Sequence, residues 1–301
     1  MVNAFFYRRA IKTCSVMRMM QTNGAIPALL SNFFWQIPYV VTYGYDYAKF
    51  TQIEGHPVKA WFLNQILPIA LKYASRIIVT TDDLKNQVQK HVRDKSKVVL
   101  IPNAVDIDRF KPKNSAGASA PPIKILFVGR LERQKNLFFL LDVIAGLRAK
   151  QPILLTIVGE GRLRSKLEEN VQTRNLPVCF AGAVPYQKIA QHHQEADIFI
   201  STSLAEGHPK SLIEAMSCGM ICVVSDCEGN RSLIKNGTAG FLLPLNDSLW
   251  IETLGKVVDN VGRFRCMGEQ AREEIKRNFN INQTLSREVT LLMSLAKKSG
   301  P

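Results

Sequence analysis

From Ile123 onward, runs of consecutive apolar residues alternate with stretches of amphipathic spacing, and this alternation constrains the fold more than any other feature of the 301-residue chain. IKILFV precedes a helical pattern from about Asn136, ILLTIV one from about Arg162, and VCFAG one from about Gln187. ADIFIST leads to a helix expected near Pro209, ICVVSD to one near Asn230, and GFLLP to one from about Ser248. A strand that is apolar at every position needs cover on both faces, which a parallel sheet flanked by helices supplies. The pattern predicts a doubly wound α/β domain over 123–280.

Residues 1–112 carry a weaker version of the same alternation: VMRMM, a helix over 26–34, PYVVTY, a helix over 58–74, RIIVTT, a helix from Asp82, and KVVLIP. KPKNSAGASAPP has no apolar periodicity, so 113–122 is read as a linker. The stretch 282–297 reads as a terminal amphipathic helix within a segment 281–301.

The composition, 46% hydrophobic and 21% charged, suits a globular chain rather than a disordered one. A formal charge of +14 favours an anionic partner, be it a nucleotide or a phospholipid surface, or else describes a basic solvated surface. No nucleic-acid-binding signature accompanies the charge, so a nucleic-acid partner is not expected. Arg8, Arg9, Lys12 and Arg18, beside Phe5, Phe6 and Tyr7, are a candidate contact with anionic lipid. Six scattered cysteines form no zinc or disulfide pattern and are expected to be buried apolar residues. The first fifteen residues lack the apolar core of a signal peptide, and the stretch 60–74 is too short and too polar to span a bilayer. A cytoplasmic location is expected, with peripheral contact on the cytoplasmic face of a membrane as an extension.

LAEGHPKSLIEAMSCG sets two carboxylates, Glu206 and Glu214, around an expected helix start. Pro209 suits the first helical turn, and the amides of Lys210, Ser211 and Leu212 then lack intrahelical acceptors. Such an end binds phosphate. Glu206 precedes these amides in the loop, and Glu214 follows about 7–8 Å along the axis at 1.5 Å per residue. The two can flank a bound diphosphate, and a carboxylate accepts hydrogen bonds from a vicinal diol such as ribose. Taken alone, the pair fits equally a Glu complementing the helix dipole and a second Glu facing solvent.

The string E-G-x-P-x-x-L-x-E-A-M, followed by Gly219 and a buried strand, resembles the donor-site signature of retaining glycosyltransferases of family four, which have the GT-B fold. FVGRLERQKN is similar to that family's loop holding the donor diphosphate, here with Gly129, Arg130 and Lys135. LTIVGEGRLRSKLE, CFAGAVP and IPNAVDIDRF match further family segments in order, so the likeness spans residues 38–241. It implies two Rossmann-like domains facing a cleft. It also implies a UDP- or GDP-linked sugar as donor and a hydroxyl acceptor, saccharide or lipid-linked, in polysaccharide, lipopolysaccharide or glycolipid assembly. The implied reaction retains the anomeric configuration and uses no metal or other cofactor. By the same resemblance, Glu206 binds the donor sugar and Glu214 the ribose, while the main chain of Gly182, Ala183 and Val184 meets the nucleobase. Gly207, His208, Pro209, Lys210, Ser211 and Leu212 complete the donor loop, and His208 and Lys210 either tune donor choice or fill the turn. Arg130, Lys135 and the helix amides stabilise charge on the departing phosphate, which helps deprotonate the acceptor.

The chain departs from the family pattern at its start. The family's acceptor domain opens with a strand and a glycine-rich loop, whereas this sequence holds no Gly-Gly pair. The N-terminal domain is therefore expected to be incomplete, which raises a second reading: a donor-binding remnant, or a subunit that depends on a partner. Another GT-B enzyme, a phosphorylase or an epimerase, is a third. Asp46, after PYVVTY, is placed either on the acceptor side or as a turn former. Three decoys are set aside. Gly159-Glu160-Gly161 lacks the third dinucleotide-binding glycine because Arg164 stands there, and Gly159 and Glu160 line the cleft or form a tight turn. Asp106-Ile107-Asp108 is read as structural rather than metal-binding. The segment 215–219 leads from a helix into a strand, the reverse of a nucleophile elbow.

Overall fold

The computed structural model describes residues 8–20, 24–113 and 121–296. Phe5, Phe6 and Tyr7, most of the 113–122 segment and Lys297 lie outside the described residues. The chain divides into two compact units, Met1–Asn103 with Asn282–Pro301, and Ala104–Ile281.

The first unit runs α1 (Arg8–Lys12), β1 (Met17–Met19), α2 (Ala25–Trp35), β2 (Tyr39–Tyr43), α3 (Tyr47–Ile53), α4 (Pro57–Tyr73), β3 (Arg76–Val79), α5 (Asp82–Gln89) and β4 (Val98–Leu100). Its strands form a parallel four-stranded sheet in the order β1-β2-β3-β4. Strand alternation divides the core in two. Tyr39, Val41, Tyr43, Ile77 and Val79 pack with Ala28 of α2, Leu67, Ala70 and Leu71 of α4, and Leu84 and Val88 of α5. Val40 and Ile78 point the other way, toward the C-terminal helix. Helix α3 has no counterpart in the sequence reading: Asp46 caps it, Oδ1 accepting the Lys49 N–H at 3.0 Å, and Tyr45 stacks on Tyr47 with centroids 3.9 Å apart.

The second unit continues with β5 (Ile123–Val128), a 3-10 turn (Arg133–Lys135), α6 (Leu137–Gly146), β6 (Ile153–Val158), α7 (Arg164–Thr173), β7 (Val178–Gly182), α8 (Tyr186–Glu195) and β8 (Ile198–Ser201). Then come α9 (Lys210–Ser217), β9 (Ile221–Ser225), α10 (Glu228–Arg231), β10 (Phe241–Leu243), α11 (Asp247–Asp259) and α12 (Val261–Asn278). All six strands are parallel, in the order β10-β9-β8-β5-β6-β7. One sheet face packs with α6, α7 and α11 around Trp250, the other with α8, α9 and α12. The predicted doubly wound domain is present, with two local differences. The terminal helical stretch breaks at Asn260, whose φ of −135° and ψ of 37° are not helical, and α10 is a single turn. The last helix, α13 (Ile281–Ala296), returns to the first unit, where Leu291, Leu292 and Leu295 cover Val40 and Ile78, and Glu288 pairs with Arg18 at 2.5 Å.

The division between the units falls at Asn103, ahead of the 113–122 segment read as the linker. The reason is packing: Val105 and Phe110 are buried in the second unit's core, and the Val105 N–H donates to Phe279 O. Of the cysteines expected to be buried, Cys218, Cys222 and Cys227 are, whereas Cys14 in a loop, Cys179 on the edge strand β7 and Cys266 on the outer side of α12 are exposed. Among the described residues, no helix is long and apolar enough to cross a membrane.

Candidate active site

In an open parallel sheet, ligands bind beyond the carboxyl ends of the strands, where the strand order reverses direction. In the second unit that point lies between β5, from which the chain runs outward to β6 and β7, and β8, from which it runs to β9 and β10. The loops after these two strands are Gly129–Lys135 and Thr202–Pro209, the segments that the sequence singles out.

The two loops are tied together. Gln134, buried, donates its Nε2 to Ala205 O at 2.5 Å, and the Leu204 N–H donates to Gln134 O at 2.8 Å. Thr202 Oγ1 donates to Lys135 O and Asn136 O at 3.1 and 3.2 Å. At the centre, Lys135 Nζ meets Glu206 Oε1 at 2.5 Å, with side chains 13% and 8% exposed. The same carboxylate oxygen accepts from Ser203 Oγ at 2.6 Å. Ser225 at the end of β9 donates to Ser203 O, and Asn230 donates to Ser225 O, so β9 and α10 brace the loop from behind. Gly229 packs against it: a Cβ there would lie 2.5 Å from Gly207 O. Sequence reasoning missed Gln134, Thr202, Ser203, Ser225 and Asn230, because small polar residues after a strand carry no distinguishing pattern.

Helix α9 begins at Lys210, so Pro209 is its N-cap, with extended ψ of 115°, rather than a first-turn residue as the sequence suggested. No side chain caps α9, and by helix geometry the amides of Lys210, Ser211 and Leu212 have no intrahelical acceptor. Lys210 is exposed and Ser211 half-buried, whereas Leu212 points into the core. His208 is buried with its ring 5.4 Å from that of Phe279, and burial pushes its pKa down to about 3, which keeps it neutral.

Glu214, one helical turn inside α9, is 5% exposed, and burial pushes its pKa up to about 7 against the lowering effects of a hydrogen bond from Tyr186 and of Lys210 and Arg109. His193 Nε2 lies 3.5 Å from its Oε2. Burial, and secondarily His192, pushes His193 down to about 4, so this contact joins a neutral imidazole to the carboxyl and is no ion pair. Arg109 sits 4.6 Å over the Tyr186 ring and donates to Tyr186 O at 2.5 Å. Tyr186 and Arg109, unremarked in the sequence, thus hold the second carboxylate's surroundings.

The remaining predicted residues line the same edge of the sheet. Gly129 donates to Val158 O at 3.0 Å and Gly159 to Gly182 O at 2.8 Å, joining the loops after β5, β6 and β7. Gly159, with φ of 137°, lies so near Gly129 that a Cβ would stand 1.9 Å from Gly129 O. Arg130 is exposed, Gly182 and Val184 are half-buried, and Ala183 is exposed. Arg164 flanks the Gly182 turn, bound to Glu160 at 2.5 Å and Glu168 at 2.8 Å and 5.5 Å from the Phe180 ring. The sequence reading used Arg164 only to discount a dinucleotide motif. Asp46 belongs to the first unit, with both oxygens engaged, Oδ1 by Lys49 N–H and Oδ2 by Gln87 Nε2 at 2.9 Å. Asp106 Oδ1 accepts from the Asp108 and Arg109 amides at 3.1 Å, a turn-forming role. Among the described residues no cluster of three His, Cys, Asp or Glu side chains suits a metal ion.

Such a site at the switch point of a doubly wound sheet defines a class that binds phosphorylated ligands at loop and helix ends, and comparison with known proteins sharpens it. The glycosyl transferases group 1 family matches residues 108–274, and the glycosyltransferase family 4 domain matches residues 18–109. The chain belongs to the glycosyl transferases group 1 family. It is 32% identical over 226 residues to the Escherichia coli UDP-Gal:alpha-D-GlcNAc-diphosphoundecaprenol alpha-1,3-galactosyltransferase, covering 70% of this chain and 58% of that protein. To the gpi3 subunit of phosphatidylinositol N-acetylglucosaminyltransferase from Schizosaccharomyces pombe it is 25% identical, covering 72% of this chain and 48% of that one. The chain thus spans roughly half of the length of these relatives. Among solved structures, Anabaena HepE in complex with UDP and glucose superposes with a TM-score of 0.82 at 16% identity, covering 97% of this chain and 81% of that one. Thermosynechococcus elongatus sucrose-phosphate synthase does so with 0.85 at 20%, covering 98% and 77%. The fold is GT-B.

Proposed function

We propose that this chain transfers a sugar from a nucleotide-diphosphate donor, UDP- or GDP-linked, to a hydroxyl of a saccharide or lipid-linked acceptor, with retention at the anomeric carbon. The observation that carries this reading is the Lys135–Glu206 pair at the β5/β8 switch point, directly ahead of the uncapped start of α9. In this reading Glu206 is held by Lys135 and Ser203 so that its carboxylate accepts from donor-sugar hydroxyls. Exposed Arg130, the Lys135 ammonium and the first amides of α9 take the charge of the diphosphate, so the step is assigned no metal. Glu214 accepts from the ribose diol, and the main chain from Gly182 to Val184, beside Arg164, meets the base.

In the reaction, the bond from C1 to the diphosphate oxygen breaks and a bond from C1 to the acceptor oxygen forms on the same face, while the acceptor proton passes to the departing phosphate. The names of the Escherichia coli relative and of HepE's ligands support a nucleotide-sugar donor, and assembly of polysaccharide, lipopolysaccharide or glycolipid on the cytoplasmic side is the setting that fits them. In this reading Asp46 keeps its capping role, with its oxygens accepting from the Lys49 N–H and from Gln87 Nε2.

A second reading, a donor-binding subunit that needs a partner for turnover, is favoured by relatives such as the gpi3 protein, which are named as subunits. Incubating the purified chain with UDP- and GDP-sugars, with and without EDTA, tests both. Slow hydrolysis unaffected by EDTA, releasing the sugar in the donor's anomeric form, supports the transferase. Tight nucleotide binding with no hydrolysis supports the subunit.

A further inference from the structure

Helices α2 and α4 pack against each other in the first unit, and each carries apolar residues on its outer as well as its inner side. On α4, Ala60, Leu67, Ala70 and Leu71 face the sheet. The opposite stripe carries Val58, Trp61, Phe62, Ile69 and Tyr73, between 50% and 80% exposed. The spacing of this outer stripe, 58, 61, 62, 69 and 73, is that of a single helix face. On α2, Phe33 and Phe34 are 73% and 66% exposed and pack edge to face, with centroids 5.2 Å apart. A helix with apolar residues on its outward side as well as its inward side has more to bury than the sheet covers, and an exposed aromatic surface on a folded protein marks an interaction site.

The charges around the surface select the occupant. Helix α2 carries no charged residue, and α4 carries Lys59 and Lys72 and no carboxylate. Lys72 Nζ lies 5.5 Å from the Tyr73 ring and Lys12 Nζ 6.0 Å from that of Trp35, so both ammonium groups stand at the rim of the aromatic surface. Across the first unit, Lys and Arg outnumber Asp and Glu by sixteen to six. A second copy docked face to face would set lysine against lysine. A bilayer with anionic headgroups matches instead, since Trp, Tyr and Phe settle at headgroup depth while lysines reach lipid phosphates.

We propose that the outer face of α2 and α4 docks on an anionic lipid bilayer, with Phe33, Phe34, Trp61 and Phe62 in the headgroup layer and Lys59 and Lys72 against phosphate. The α4 helix lies in the interface and does not span it: it is 17 residues long and contains Pro68. The inference extends the acceptor side of the proposed function, placing the first unit where a lipid-linked acceptor would be met.

The test is sedimentation of the purified full chain with vesicles of phosphatidylcholine alone and of phosphatidylcholine with phosphatidylglycerol, alongside calorimetric titration with UDP. The expected result is co-sedimentation with the anionic vesicles, weakened by salt. The double variant Trp61→Ser/Phe62→Ser should lower the partition coefficient about tenfold or more, and Lys59→Glu/Lys72→Glu should reduce it on anionic vesicles only. Leu285→Ser/Val289→Ser, on an exposed stripe of α13, should bind vesicles as the parent does. Folding of each variant is checked by an unchanged UDP affinity, and if no form binds UDP, by an unchanged thermal transition, so that loss of membrane binding and failure of the donor site are read separately. Absence of wild-type binding to either vesicle would overturn the proposal, as would equal binding to neutral and anionic vesicles. Undiminished binding by the Trp61/Phe62 variant would do the same, and so would a concentration-dependent dimer that this variant dissolves.

Discussion

The two units are both parallel α/β layers, yet the acidic residues that follow their central strands have opposite fates. In the second unit, Glu206 after β8 meets Lys135 from the loop after β5, and Ser203, Ser225 and Asn230 brace it. In the first, Asp46 after β2 turns back on its own chain, capping α3 and accepting from Gln87 of α5. One carboxylate is held by a cation brought from 71 residues away, and the other by a local backbone N–H and the neutral Gln87 amide. In the second unit the charged pair forms where the loops after the neighbouring strands β5 and β8 converge, at the switch point. The units differ on the outside too: among the described residues, α2 and α4 of the first unit turn large apolar side chains to solvent.

The sharpest way to break this contrast is Lys135→Ala. Removing the cation leaves Glu206 part-buried without its partner, which should cost about 3 kcal/mol in urea unfolding and lower turnover about 10²- to 10³-fold. A variant that retains both stability and turnover would dissolve the distinction between the two carboxylates.

Next in size is a pH effect at Glu214. Its carboxyl ionises at about 7 in the fold against an ordinary 4.5, so the folded state favours the protonated form. The stabilisation is complete below pH 4.5, declines as the unfolded chain ionises, and is lost once pH passes 7, a change of up to about 3 kcal/mol. Glu214→Gln should flatten that part of the stability profile, measured by denaturant unfolding from pH 4 to 8. Ribose hydroxyls donate to the ionised form, so UDP affinity in the parent should rise over the upper part of the same range. Glu214→Ala should weaken nucleotide binding by about 1–3 kcal/mol. The smallest effect belongs to Asp46→Ala: about 1 kcal/mol of stability from the lost cap, with nucleotide affinity unchanged. If that variant instead keeps its stability and loses turnover, the first unit holds acceptor chemistry after all and the contrast fails.

Strands β8 and β9 could be read from the sequence because burial on both faces forces unbroken apolar runs such as ICVVS, whereas the partly buried edge strands β7 and β10 were legible mainly from their place in the alternation. Helix α3 could not, since its stability comes from the Asp46 cap and the stacking of Tyr45 on Tyr47 rather than from a periodic apolar face. The break at Asn260 is equally silent, for asparagine stands in many helix interiors. At the site, the glutamates and the cations were visible as residues, whereas the ion pair of Lys135 with Glu206 depended on β5 lying beside β8, a fact of strand order that spacing does not encode. Tyr186 escaped notice for the same reason, since it acts on Glu214, distant in sequence, and the place of Arg164 beside the Gly182 turn depends on where β7 lies.

The central claim is that the switch-point loops of the second unit hold a nucleoside diphosphate, and calorimetric titration of the parent and of Arg130→Ala with UDP, GDP and uridine tests it most directly. The account predicts binding of at least one diphosphate, with Arg130→Ala weakening that diphosphate more than the nucleoside. No heat with either diphosphate, or equal losses for diphosphate and nucleoside, would contradict it.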